Sequence, residues 1–424
     1  MTRINDHYLK LSGAYLFPEI ARRVAAYSER QAEDAAPVIR CGVGDVTEPL
    51  TPAVIKAMHA AVDEMGCGST FRGYGPPYGY DFLREAIARV DFRERGINVD
   101  VDEIIISDGS KTDAGAILEI LATGTEGGQP VNRVGITDPV YPVYVDTNVM
   151  AGNTGRARDG GGYEGLHSLV CRAENGFVPE PPDTELDVVY LCFPNNPTGG
   201  MINRQQLEAW VAWARERDAL ILYDAAYADY IQDPALPRSI FEVDGARECA
   251  IEFHSFSKNG GFTGVRCGYT VCPAELTGLA ADGRRVQLLD LWKRRWSTRS
   301  NSVAYVVQRA AEALYSLDGR AESSRLVDGY MANAAALRQA CSAMGMDVHG
   351  GEHAPYVWVR CPDGMDSWGT FDHLLETIQV VVTPGVGFGP QGEGWFRISA
   401  FNSAENVAEV TRRMLAARAG SVSA

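Results

Sequence analysis

Three short apolar runs, each ending in a polar motif, constrain this chain more than any other feature. They are Asp187-Val-Val-Tyr-Leu-Cys-Phe193, Ala219-Leu-Ile-Leu-Tyr223 and Cys249-Ala-Ile-Glu-Phe253. Apolar stretches of this length, bounded by turn residues, read as strands buried on both faces, which belong in a sheet covered by helices. The first runs into Pro194-Asn-Asn-Pro-Thr-Gly199, a tight turn. The second runs into Asp224-Ala-Ala-Tyr227, and the third leads to Ser255-Phe-Ser-Lys-Asn-Gly-Gly-Phe-Thr-Gly-Val-Arg266. In open α/β sheets, ligands bind beyond the carboxyl ends of the strands. Asn196, Asp224, Tyr227, Ser255 and Lys258 are therefore expected in one place.

Lys258 and Arg266 set the chemistry. A lysine amine becomes nucleophilic when burial or a nearby cation lowers its pKa, and can then hold an aldehyde as a Schiff base. An arginine eight residues later offers a planar fork to a phosphate. An aldehyde and a phosphate on one ligand point to pyridoxal 5'-phosphate (PLP). Its ring nitrogen must stay protonated for the ring to accept electrons, and a buried Asp224 would hold that proton. Asn196 and Tyr227 can donate to its phenolic oxygen. Upstream, Glu103-Ile-Ile-Ile-Ser107 reads as a strand and Thr112 to Leu121 as a helix. Asp108-Gly-Ser-Lys111 between them forms an anion seat, with Ser110 and Lys111 as candidate phosphate contacts. Each piece also has an ordinary reading alone. Asn-Pro-Thr-Gly is a common turn, Asp224 and Asp108 could cap helices, and Tyr227 could be core. Their order along the chain is what favours a cofactor site.

With these residues in place, the chain resembles the fold-type I PLP enzymes of the class I/II aminotransferase family, and among them the LL-diaminopimelate aminotransferases. The strings that carry the resemblance include Gly13-Ala-Tyr-Leu-Phe-Pro-Glu19, Gly42-Val-Gly-Asp-Val-Thr-Glu-Pro49 and Asp138-Pro-Val-Tyr-Pro-Val-Tyr-Val-Asp146. Ala354-Pro-Tyr-Val-Trp358, Thr383-Pro-Gly385 and Phe396-Arg-Ile-Ser-Ala400 extend it to the C-terminal part. The resemblance implies that Tyr141 stacks on the cofactor ring and that Arg397 binds the substrate α-carboxylate. It places Tyr15 and Gly44 with the substrate groups. It also implies a homodimer with composite sites, in which Tyr74 (on the cofactor side) and Asn301 (on the substrate side) reach the second subunit's site.

One departure concerns the substrate. In the diaminopimelate enzymes, the loop matching Gly73-Tyr-Gly-Pro-Pro-Tyr-Gly79 carries a glutamate where this chain has Pro77. That glutamate recognises the distal ammonium. Pro77 cannot pair a cation, and Tyr78 beside it is aromatic. Losing a buried ion pair costs on the order of 2–5 kcal/mol, so the expected substrate is an amino acid other than diaminopimelate. A prolyl and aromatic mouth suits a flat ring or a soft cation. That keeps open a second class: γ-elimination, substitution or carbon–carbon bond-forming annulation on S-adenosylmethionine or a similar activated amino acid. Another carboxylate could also compensate within the first class.

The remaining features bound the setting. A chain of 424 residues carrying a net charge of −16 disfavours nucleic acid and anionic membranes as partners. It leaves no spare length for a DNA-binding module, which disfavours a PLP-dependent regulator. Nine cysteines show no metal-binding spacing, so no metal is expected and a cytoplasmic location fits. The N-terminus lacks the apolar core of a signal peptide. The expected fold is a large mixed-sheet α/β domain with a small α+β domain. Residues 1–50 form an N-terminal arm and part of the small domain, and residues 51–300 form the large PLP-binding domain. Residues 301–424 supply an interdomain helix and the small C-terminal domain. Leu288 to Tyr315 is expected to be helical, and the Gly-rich stretches 124–129 and 159–162 to be surface loops.

Overall fold

In the computed structural model the three apolar runs lie side by side, as β-branched and aromatic residues in unbroken apolar stretches favour. The structure describes residues 1–11, 16–31, 36–126, 129–158 and 162–422. The main sheet has seven strands: β1 (Ile104–Ser107), β2 (Val134–Asp138), β3 (Leu166–Val170), β4 (Val188–Cys192), β5 (Leu220–Asp224), β6 (Ala250–Ser255) and β7 (Gly268–Val271). Their order is β1-β7-β6-β5-β4-β2-β3. β7 runs antiparallel to β1 and β6, and the other pairs are parallel.

Side chains alternate across a strand, so each central strand feeds two cores. Val189, Leu191, Ile221 and Tyr223 enter one core with Trp210, whereas Val188, Tyr190, Leu220 and Leu222 enter the other with Trp292. Both faces are thus covered, which explains why these strands read as continuous apolar runs. The helix Arg204–Glu216 starts at a capping box in which Asn203 and Gln206 satisfy each other's backbone amides.

A second sheet contains β8 (Val348–Gly350), β9 (Tyr356–Arg360), β10 (Thr383–Pro384) and β11 (Trp395–Ser399), ordered β8-β9-β11-β10 and antiparallel throughout. Its core also takes Ile20 and Val24 from the helix Leu16–Ser28. Ile39 and Arg40 pair in parallel with Val380 and Val381. The first part of the chain is therefore packed against its last part.

Three local expectations need correcting. The stretch from Leu288 to Tyr315 is two helices, Leu288–Arg299 and Tyr305–Ala313, rather than one. Ser302 between them takes φ +63, a left-handed conformation that no helix can run through. The third apolar strand extends to Ser255 rather than stopping at Phe253, because Ser255 still pairs with Gly268 on β7. The Gly-rich stretch from residue 124 includes short paired strands, Thr125–Glu126 and Gln129–Pro130. Residues 159–161 of the second stretch lie outside the described residues. Among the described residues, no helix is long and apolar enough to cross a membrane.

Candidate active site

Strand register brings the polar motifs together. Cys192 ends β4 opposite Asp224 at the end of β5, and Asp224 in turn lies opposite Phe253 on β6. On the other side of β6, Ser255, Gly268 and Ser107 form one row across β6, β7 and β1. A cavity of about 440 Å³ opens at this edge, and Lys258, Asp224, Arg266, Asn196, Tyr227 and Arg397 all line it. Gly44, Ser110, Lys111, Tyr141 and Ser255 line it too. The volume falls within the range of small-molecule sites.

Lys258 sits in a four-residue helix, Phe256–Asn259, that begins directly after β6. Ser255 caps it, its hydroxyl accepting from the Ser257 amide at 3.2 Å. The Lys258 ammonium donates to the carbonyl of Gly44. Burial pulls the amine down to about 8, opposed by Asp45 and reinforced by the charges of Arg397 and Arg266. With that value roughly a tenth of the amine is neutral at pH 7, far more than for an ordinary lysine.

Asp224 is buried, and burial raises its pKa. Two donors oppose that rise. Tyr144 donates its hydroxyl to Oδ2 at 2.6 Å and the Ala226 amide donates to Oδ1 at 3.0 Å. The hydroxyls of Tyr227 and Tyr356 share a hydrogen bond of 2.6 Å. Gly44 must lack a side chain, since a Cβ there would lie 2.3 Å from the Tyr356 hydroxyl.

Arg266 takes φ +68 and donates to the Ser257 hydroxyl at 3.1 Å, while Ser255 donates to the same hydroxyl at 2.9 Å. Gly109 takes φ +127, and a Cβ on it would meet Arg266 Nη2 at 3.0 Å and Ser255 Oγ at 3.4 Å. A cradle of two hydroxyls and a guanidinium, closed by a position that only glycine fits, suits a phosphate. With a poised amine and a buried carboxylate in the same cavity, the donor set fits PLP. Among the described residues, no group of three or more His, Cys, Asp and Glu side chains could hold a metal ion.

Arg397 is 2% exposed and donates to Asn196 Oδ1 at 2.6 Å and to the Gly42 carbonyl at 2.7 Å. Its guanidinium lies 4.4 Å from the Tyr356 ring centre and 4.8 Å from that of Phe388. The two rings fix the plane of the fork.

This arrangement has the parts of a cofactor enzyme, and the whole chain agrees. Residues 36–414 match the model of the family described as aminotransferase class I and II. The chain belongs to that family. It is an aminotransferase-type, PLP-dependent enzyme with the fold-type I architecture. The chain is 56% identical over 416 residues to an LL-diaminopimelate aminotransferase of Prochlorococcus marinus (strain MIT 9303), covering 98% of this chain and 100% of that protein. A solved L,L-diaminopimelate aminotransferase from Chlamydomonas reinhardtii is 41% identical, with a TM-score of 0.89, covering 98% of this chain and 99% of that one. A Thermus thermophilus aspartate aminotransferase mutant is 22% identical, covers 97% of this chain and 99% of its own, and has a TM-score of 0.81; it shares the fold.

Some expected site residues of this aminotransferase lie elsewhere in its own chain. Tyr74 is 93% exposed and Asn301 is exposed, and neither lines the cavity. Pro77 and Tyr78 are half-buried and do not line it either. Tyr78 packs against the core that contains Ile105, with Lys293 5.8 Å above its ring. Its carbonyl accepts from the Ile106 amide at 2.9 Å. Tyr15 lies outside the described residues. Sequence reasoning missed Tyr144, Tyr356, Ser257 and Phe388. Ser257 carried a readable signal, lying between Ser255 and Lys258. Nothing local assigns Tyr144 to a carboxylate eighty residues later.

Proposed function

We propose that this enzyme transaminates an amino acid that it holds by the α-carboxylate at Arg397, with Lys258 moving the α-proton. The observation that carries the proposal is one cavity that holds Lys258, lowered to about 8, together with Asp224, Arg266 and Arg397. Bound there, PLP supplies an electron sink for the bond broken at the substrate Cα. Arg266, with Ser255, Ser257, Ser110 and Lys111, would hold its phosphate, and Asp224 its ring nitrogen. Asn196 and Tyr227 would face its phenolic oxygen, and the Tyr141 ring its pyridine face. The Lys258 amine, neutral in good part near pH 8, can accept a proton and return it, which is what an acid–base group matched to its working pH does best. Arg397 presents a charge-assisted fork whose geometry matches a carboxylate.

The substrate is an amino acid whose distal end is not the ammonium of diaminopimelate, a reading that rests on Pro77 in the Gly73–Gly79 loop. The relatives' names favour transamination over elimination or carbon–carbon bond formation. The enzyme acts as a homodimer in which Tyr74 and Asn301 complete a partner's site. Its large domain spans residues 51–300, flanked by small-domain pieces at 1–50 and 301–424. Nine cysteines, all unbridged, suit the reducing cytoplasm.

The test is a single-turnover screen. Holoenzyme is mixed with LL-diaminopimelate, glutamate and other amino acids, and conversion of the cofactor to its amine form is followed by absorbance. Diaminopimelate should react about thirtyfold or more slowly than the best amino acid, the loss expected for one missing buried ion pair. Efficient turnover of diaminopimelate would overturn the altered substrate. Conversion by no amino acid would overturn transamination.

A further inference from the structure

We propose that Tyr144 is a positioning residue that keeps Asp224 ionised and aimed into the cavity, and so keeps the cofactor's ring nitrogen protonated. The inference rests on the reading of Asp224 given above. Tyr144 donates to Asp224 Oδ2 at 2.6 Å in a buried setting. The Ala226 amide occupies Oδ1, so both carboxylate oxygens are tied to the protein and cannot swing. Tyr144 itself is clamped. Its ring stacks on Tyr190 at 5.0 Å and 23°, and meets Tyr141 edge-on at 5.8 Å and 85°. Tyr141 lines the cavity, so one aromatic cluster touches both the cavity wall and the carboxylate.

Electrostatics gives this contact its direction. A hydroxyl donor stabilises a carboxylate more than a neutral acid. Opposite a pyridine nitrogen, it therefore favours carboxylate with pyridinium over carboxylic acid with pyridine. Burial raises Asp224, and among the groups that hold it down Tyr144 is the largest. Burial also pushes the Tyr144 phenol well above its ordinary range, so it stays a donor throughout the working pH range. The other groups that face Asp224 are the Ala226 amide, Ser110, the Cys192 thiol, Tyr223 and the His254 imidazole. None of them is replaced in the test.

The experiment compares wild type, Tyr144→Phe and Tyr190→Phe, each reconstituted with PLP labelled with ¹⁵N in the ring. Phenylalanine keeps the stacked ring and removes only the hydroxyl. In wild type the ring nitrogen should resonate at its protonated position. In Tyr144→Phe it should move toward the neutral pyridine position. In parallel, PLP affinity of the apoprotein is measured against pH. Lys258 titrates in the same way in every variant, and on top of that common limb affinity is lost on acidification as Asp224 protonates. Removing the donor raises the Asp224 pKa, so this loss should begin about one to two pH units higher in Tyr144→Phe. Tyr190→Phe, which leaves the bond to Asp224 in place, should match wild type in both readouts. An unshifted nitrogen and an unmoved acid limb in Tyr144→Phe would overturn the role of Tyr144. Equal shifts in Tyr190→Phe would overturn it too, by showing that losing a hydroxyl from this aromatic cluster is enough without touching the bond to Asp224. An unprotonated nitrogen already in wild type would overturn the reading of Asp224 itself, a different failure from the other two.

Discussion

Lys258 is held in a state that few surface lysines reach, with burial and two arginine charges pulling its amine down to about 8. The sign of the resulting pH dependence is fixed. Below pH 8 the ammonium dominates and cannot attack an aldehyde, and above it the neutral amine dominates. Capture of PLP by the apoprotein into a borohydride-stable bond should therefore slow about tenfold per pH unit below 8 and level off above it. A flat rate between about pH 6 and 9 would mean that the amine is not the titrating group. Arg397 makes a second prediction. Arg397→Lys keeps the charge but loses the planar fork. Losing one charge-assisted hydrogen bond of about 1.5–3 kcal/mol should raise KM for the amino acid about ten- to hundredfold, with the PLP absorbance intact. An unchanged KM would remove Arg397 from the substrate site. At this scale the sequence showed the residues whose chemistry is unusual in itself: a lysine among serines and glycines, and an aspartate at a strand end. Tyr144 and Tyr356 were not legible, because a tyrosine in an apolar helix or strand looks the same whether it packs or donates.

Among the elements, the turn from β6 into the helix Phe256–Asn259 does most to place the chemistry. β7 matters as much, because it holds β6 against β1. Gly268 on β7 lies between Ser255 of β6 and Ser107 of β1. A Cβ there would lie 2.5 Å from the His254 carbonyl and 2.6 Å from Gly109 Cα. Gly268→Ala must push β6 away from the Gly109 turn, at a cost of about 1–3 kcal/mol typical of overpacking. Thermal unfolding should show a lower midpoint, and PLP affinity should fall with it, since Ser255 and Arg266 flank the displaced backbone. A normal midpoint with normal affinity would show that the strands can separate freely. The central strands were readable because burial on both faces leaves no polar alternation to confuse them. The break between the helices Leu288–Arg299 and Tyr305–Ala313 was not, because Ser302 takes its left-handed φ without a glycine or proline to signal it.

At the scale of the whole molecule, the fold class was legible from the alternation of strands and helices together with the strand-end motifs. The packing of the Leu16–Ser28 helix against the C-terminal sheet is a long-range contact that no local pattern encodes. Tyr74, Phe71 and Val43 are exposed apolar side chains, and Val43 also lines the cavity. In the proposed homodimer a second subunit would cover them. Mixing inactive Lys258→Ala subunits with inactive Tyr74→Phe/Asn301→Ala subunits should therefore restore activity. Random pairing into twofold dimers gives about one quarter of the wild-type rate, from one intact site in half of the dimers. No recovery, with subunit exchange shown by mass, would contradict shared sites.

In the proposed mechanism Lys258 is the residue that carries the cofactor. Borohydride reduction of the holoenzyme, proteolysis and peptide mapping test that directly. The pyridoxyl label should fall on the peptide containing Lys258 and on no other, and Lys258→Ala should take no label. A label on Lys111, or on any other lysine, would contradict the account.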